Sequence, residues 1–394
     1  MEHLEDLLLV KARNESQLLN RPGVTAVDVG YKYVDGKKTD ELAIRIHVKK
    51  KTSEVPLAEM IPAQIEDFRT DVLEGDYELQ VLKQSASMLT ADTGNYNPLV
   101  GGISIGPCRV VGGFIYAGTL GVPVTDRTTG KPMLLSNFHV MCVDTGWHPG
   151  DSICQPSLID TGKCPSDTMS GIARAALGGS IDGAVAQQTQ RSSVRSIVDV
   201  GQIDGVSPAY PGHPVRKRGR TTGLTFGAVD GVGGSVTVDY GNAIGRVTLN
   251  NQISIAPDTS RNPSFSDHGD SGSVVVNVSN QVIGLLFAGV AGGLTWANPI
   301  QNALDALQVD IWATFEAVFA HGDPGNGIGG YDLASPDDRA FAFDYDGSGK
   351  LDHIALYRPG HGTFWILKRK GDDFAAVFAH GDPGNGIGGY DLAS

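Results

Sequence analysis

The sequence predicts a mainly β protein, on three observations. From Leu99 to about Ala297, short apolar runs are broken repeatedly by Gly, Pro, Asp and Asn. They include Ala117 to Val124, Met133 to Val140, Ala184 to Ala186, Gly223 to Val229, Ser235 to Tyr240, Val274 to Val278 and Val282 to Phe287. Such runs read as strands, and this region has about the right length for two small barrels. Glycine, at 52 of 394 residues, supplies the tight turns such a fold needs. No apolar stretch is long enough to cross a membrane as a helix.

Residues 1 to 84 read as a small α/β module. Leu4, Leu7, Leu8, Leu9, Ala12, Leu18 and Leu19 recur at helical spacing, and Asn20-Arg21-Pro22-Gly23 ends the helix. Val24 to Tyr33 and Glu41 to Val48 flank the turn Val34-Asp35-Gly36-Lys37, a hairpin signal. In the second run Leu42, Ile44, Ile46 and Val48 alternate with Ala43, Arg45 and His47, which predicts a strand buried on one face. Strands at Arg69 to Leu73 and Tyr77 to Leu82 are expected to complete the module. Residues 85 to 98 are mostly small and polar and read as a linker to the β domain at 99 to 316. Ile300, Ala303, Leu304, Leu307 and Ile311 predict a closing helix over Pro299 to Phe315.

Residues 317 to 394 contain a repeat. Ala317 to Ser335 recurs unchanged at Ala376 to Ser394, a shift from 317 to 376, or 59 positions. Identity over that length implies a tandem array, of which one full unit and part of a second are present.

The net charge of −13 argues against general nucleic-acid binding. The basic run Arg216-Lys217-Arg218-Gly219-Arg220 is expected to be a solvated face, and Arg218 to Thr225 a hairpin of the second barrel. Acidic residues stand at the N-terminus where an export signal carries positive charge, so a cytoplasmic location is expected; a chain trimmed of its signal reads the same. Cys108, Cys142, Cys154 and Cys164 show no Cys-x-x-Cys spacing, so no zinc site is expected. Their even number permits two disulfides, but the absent signal favours buried free thiols.

The chemistry centres on Phe265 to Val276. Gly269 and Gly272 flank a sharp turn that carries Ser271, with Asp270 before it and Val274 to Val276 after it. A serine so held is a candidate nucleophile needing a base, an orienting acid and an oxyanion pocket. His139, at the end of an apolar strand, is the candidate base. Asp182, entering the small-apolar run Gly183-Ala184-Val185-Ala186, is the candidate acid, with Asp160, Asp167 and Asp199 as rivals.

With these pieces in the order His139, Asp182, Ser271, about half the chain resembles the chymotrypsin-like serine peptidases. The most specific match is Gly269-Asp270-Ser271-Gly272. The resemblance implies two six-stranded β-barrels with the site in the cleft between them. It also implies a catalytic triad of His139, Asp182 and Ser271, an oxyanion hole from the N–H groups of Gly269 and Ser271, and a buried structural role for Asp270. The substrate is then a polypeptide, no cofactor is needed for catalysis, and neither a nucleic acid nor a membrane is expected as a partner. Cys108 and Cys142 are the nearest candidates for the disulfide the family places beside its histidine. Phe265, Ser266 and Phe287 to Gly289 are expected to line the primary specificity pocket, where the lack of an acid argues against a strict Lys or Arg preference. Leu99-Val100-Gly101-Gly102 resembles the N-terminus that activated zymogens tuck against the acid before the serine, although a first strand with two glycines is the simpler explanation and the preferred one. Residues 1 to 84 then read as a pro-segment, a substrate-binding module or an accessory domain. Ser273 stands where many family members carry glycine.

In the tail, Asp344, Asp346, Ser348 and Asp352 place side-chain oxygens at alternating positions, with Lys350 offering its carbonyl. That is a candidate Ca²⁺ site or else an acidic, glycine-rich turn. With the long repeat period and the run from Leu351 to Arg358, this part resembles repeats of integrin-like β-propellers, including some fungal lectins. That implies a glycan or protein ligand, with Tyr357, Phe364 and Trp365 packing a blade. The expected function is that of a serine endopeptidase. The alternatives are an inactive peptidase-fold scaffold and a self-processing, calcium-dependent glycan-binding protein.

Overall fold

In the computed structural model the described residues are 2 to 311, apart from 53, 58, 84–91, 242 and 243, together with 339–343, 353–358, 363–370 and 373–380. The chain divides into two compact units, Met1–Thr314 and Phe315–Ser394. The fold is mainly β.

In the first unit, six strands close into a ring. Pro214–Gly219, Val274–Asn277, Val282–Gly289, Thr295–Pro299, Arg246–Pro257 and Gly223–Asp239 pair in that order, and the last returns to the first. Val215, Val229, Ile253, Ile255, Phe265, Val275 and Leu286 fill it. A second sheet runs Val122–Asp126, Pro132–Ser136, Ile181–Gln188, Thr168–Gly178, Ser152–Cys154, Ser104–Pro107 and Tyr116–Thr119. Its own core includes Ile103, Ile105, Leu134, Phe138, Val140 and Ile153. A further cluster joins Val122, Leu135 and Val185 of this sheet to Val274, Val276 and Leu285 of the ring. Burial of each such side chain contributes about 1.5–3 kcal/mol, so this shared core is what holds the two β units face to face.

The predicted closing helix is shorter than its apolar spacing suggested. It spans Ile300–Leu307 and ends at Gln308, whose φ is +52°. Val309–Asp310 then leaves the helix to pair with Thr125 and Asp126.

The N-terminal helix spans Glu2–Leu19 and buries Leu7, Val10 and Leu18. The hairpin forms as expected, with Asp35 and Gly36 both at positive φ in the turn. Its packing differs from the prediction. Val24–Val34 pairs along Gly223–Asp239, so the hairpin extends the ring's own sheet. Arg45 and His47, read as the exposed face of their strand, are fully buried. They are buried because they are paired. Arg45 bonds Asp28, Asp230 and Ser254, and His47 bonds Asp28 and the Tyr77 hydroxyl.

Tyr77 to Leu82 does not complete this module. Glu78–Leu79 pairs with Ala288 and Gly289 of the ring, and Leu82–Lys83 pairs with Tyr116 and Ala117 of the other sheet. The segment therefore lies between the two β units.

The basic run is not a solvated face. Lys217 and Arg220 are fully buried and Arg218 nearly so. Each meets an acid distant in sequence: Lys217 with Asp270, Arg218 with Asp92 and Arg220 with Asp160.

The cysteines also depart from expectation. Cys108 and Cys164 form a disulfide, while Cys142 and Cys154 are free and buried. Neither four free thiols nor a Cys108–Cys142 bridge is present.

In the second unit, Arg339–Phe343, His353–Arg358, Thr363–Lys370 and Asp373–His380 form an antiparallel meander. Ala355, Leu356, Ile366 and Leu367 are buried, while Phe341, Trp365 and Val377 are exposed. Asp344, Asp346, Ser348, Lys350 and Asp352 lie outside the described residues, as does most of the repeated segment.

Candidate active site

The strand Pro132–Ser136 runs into a single helical turn, Phe138–Met141, which presents His139 at the junction of the two β units. Asp182 sits at the start of the neighbouring strand Ile181–Gln188, two strand positions across from that turn. The His139 ring Nδ1 bonds Asp182 Oδ2, and the His139 backbone N–H donates to Oδ1 at 3.3 Å. Both side chains are buried. Three further groups, not foreseen from the sequence, hold the aspartate. Asn137 Nδ2 donates to Asp182 O at 2.8 Å. The Tyr240 hydroxyl donates to Oδ2 at 2.8 Å, and the Asn298 side-chain oxygen accepts from the Asp182 N–H at 3.0 Å. Complete burial together with the adjacent Asp182 carboxylate pushes the Tyr240 phenol far above its ordinary pKa, so it remains a donor.

The rival acids are occupied elsewhere. Asp160 pairs with Arg220, Asp199 faces Arg218 at 3.5 Å, and Asp167 accepts from the Lys163 N–H.

Ser271 sits on the turn before Val274–Asn277. Gly269 and Gly272 have φ of +101° and +94°, and a Cβ on either would lie within about 2.2 Å of Thr221 Oγ1 or of Thr119 O. These two positions therefore require glycine. The second sheet pins the turn: Thr119 N–H donates to Ser271 O at 2.8 Å, and Thr119 Oγ1 donates to Gly269 O at 2.8 Å. Ser273, the departure noted in the motif, ties its hydroxyl to Asp270 O at 2.7 Å.

Asp270 is buried and saturated with donors. Lys217 Nζ lies at 3.2 Å, Thr222 Oγ1 at 2.6 Å, and the N–H groups of Thr221 and Asp267 at 2.9 and 3.0 Å. Lys217 is the cation among these partners. Leu99 instead starts a strand, its N–H donating to Ser192 O at 2.8 Å. An N-terminus freed at Leu99 is thus not what neutralises Asp270.

The Gly269 and Ser271 N–H groups point at a single acceptor, the carbonyl oxygen of Gln80, at 2.6 and 3.1 Å. Ser271 Oγ donates to Phe287 O at 3.0 Å rather than to His139, whose Nε2 is buried with no hydrogen-bond partner among the described residues. A groove of about 620 Å³ beside them is lined by His139, Tyr240, Asp267, His268 and residues of the 77–83 segment.

No protein-family model matches the chain, and no curated protein matches it. Solved structures similar to it include Thermobifida fusca Protease A, at 19% identity over 54% of this chain and 96% of that one, TM-score 0.40. A Nocardiopsis protease is similar at 17% identity over 56% and 98%, TM-score 0.38. Cellulomonas bogoriensis chymotrypsin is similar at 18% identity over 57% and 100%, TM-score 0.38.

Proposed function

We propose that the chain is a serine endopeptidase. The observation that carries this reading is the convergence of two N–H groups, from Gly269 and Ser271, on one peptide carbonyl oxygen beside a histidine held by a buried aspartate. An N–H pair aimed at a carbonyl is what stabilises the negative oxygen of a tetrahedral intermediate, and loss of one such donor typically costs about 10²–10³ in turnover.

In this mechanism Ser271 Oγ turns from Phe287 O toward His139 Nε2 and attacks the carbonyl carbon. Its proton passes to Nε2, and Asp182 and Tyr240 hold the ring in place. The oxyanion sits against the Gly269 and Ser271 N–H groups. His139 then delivers the proton to the departing amine as the C–N bond breaks. Water repeats the sequence on the acyl-enzyme and restores the serine.

The hydrogen bond from Ser271 Oγ to Phe287 O favours a second reading, an inactive scaffold. A fluorophosphonate probe separates the two: wild type is expected to be labelled and Ser271→Ala not. Equal labelling of both overturns the peptidase reading. The Cys108–Cys164 bond supports folding in an oxidising compartment. The calcium site and the glycan or protein ligand of the tail remain readings of sequence alone.

A further inference from the structure

Residues 77 to 83 cross the cleft as an extended segment, and their contacts are those of a bound peptide. The Gln80 N–H donates to Phe287 O at 3.2 Å, and its carbonyl oxygen takes both N–H groups of the serine turn. Upstream, Glu78 and Leu79 form antiparallel pairs with Gly289 and Ala288. Downstream, Leu82 and Lys83 pair antiparallel with Ala117 and Tyr116, on the other β unit. The Gln80 side chain is buried, with its carboxamide against the Gly289 backbone, where an added Cβ would lie 2.6 Å from Nε2. Its Oε1 is buried without a hydrogen-bond partner among the described residues.

The segment is held in place from the N-terminal side. The Tyr77 hydroxyl bonds His47 Nδ1 at 2.6 Å, and the Tyr77 ring packs edge-on against Trp296 at 5.4 Å. The Gln80 carbonyl is therefore tied, through Tyr77, to His47 of the 24–48 hairpin and to Trp296 of the ring, and a peptide bond held beside its nucleophile is poised for reaction.

We infer that the bond between Gln80 and Val81 is the enzyme's own first substrate, and that the primary pocket takes an uncharged side chain of glutamine's size. This rests on the peptidase reading. Ser271 Oγ would add to the Gln80 carbonyl carbon, the Gln80–Val81 C–N bond would break, and His139 would pass the serine's proton to the Val81 nitrogen. Hydrolysis of the acyl-enzyme would leave Gln80 with a free carboxylate and Val81 with a free amine.

The test uses the full chain, wild type and Ser271→Ala, followed by intact mass and N-terminal sequencing during incubation over a tenfold range of protein concentration. The expected result is a new N-terminus at Val81 and a matching fragment ending at Gln80, formed at a concentration-independent rate in wild type and absent in Ser271→Ala. Gln80→Pro, which removes the N–H given to Phe287 O, should lower that rate at least tenfold and raise the rate of fluorophosphonate labelling. An uncut chain, or a cut elsewhere, in a protein whose Gln80→Pro form is labelled at Ser271 overturns self-cleavage and leaves the peptidase reading standing. Absence of Ser271-dependent labelling in every form overturns both.

Discussion

Lys217 Nζ lies 3.2 Å from Asp270 Oδ2, with both side chains fully buried. Burial pulls the lysine's pKa down while Asp270 pushes it back up, the net shift being downward. The pair places a cation where the serine turn needs one, without any change to the chain. Removing one partner of a buried pair strands the other charge, at a cost of about 3–5 kcal/mol. Lys217→Met is expected to lower the free energy of unfolding by an amount in that range and to reduce Ser271 labelling. A variant as stable and as readily labelled as wild type would show that the other donors to Asp270 suffice.

Tyr240 and Asp182 give a second prediction. Tyr240→Phe removes one donor from the carboxylate that orients His139, leaving its charge less compensated. Hydrolysis should fall by about one to two orders of magnitude, in keeping with the roughly 1.5–3 kcal/mol of a hydrogen bond to a charged group. An unchanged rate would mean that the hydroxyl only fills space.

The disulfide predicts a thiol count. Alkylation of the denatured, unreduced chain should modify two cysteines, Cys142 and Cys154, and all four after reduction. In the native chain both free thiols should react slowly, since burial pushes the Cys154 thiol up to about 11 and Cys142 higher still. Reduction should lower stability by roughly 4 kcal/mol, the loop-closure figure for a separation of 56 residues. Four reactive thiols in the unreduced chain would rule the bridge out.

Asp28 sets an acid limit. Burial alone would raise its pKa, but Arg45 and His47, both bonded to it, hold it well below the carboxylate range. The folded value is thus lower than the unfolded one, about 3.9. Its stabilisation is complete above about pH 4 and declines as pH falls below that. The unfolding midpoints of wild type and Asp28→Asn should be well separated at pH 7 and should converge as pH drops below 4. A gap independent of pH would remove the carboxylate's charge from the account.

The parts of the site that could be read from the sequence are those whose signal is local. Ser271 announces itself through two glycines that the turn geometry requires, and Asp182 lies on the strand its run predicts, while His139 follows its strand on a short helical turn. Tyr240 and Asn298 could not be read, because each reaches Asp182 across 58 or 116 residues and neither sits in a distinctive pattern. The basic run misleads for the same reason: local composition shows five residues rich in charge, whereas their burial depends on Asp270, Asp92 and Asp160 elsewhere. Tyr77 to Leu82 has the composition of a strand, but a strand's partner is not written in its own residues.

The strand Gly223–Asp239 is longer than its neighbours, and its overhanging part is paired by Val24–Val34. Without that hairpin the overhang would be a bare ladder of N–H and C=O groups, open to pairing with another copy. The N-terminal hairpin therefore acts as a guard against association, so a version of this protein begun after residue 76 is expected to aggregate even where its ring and second sheet are intact.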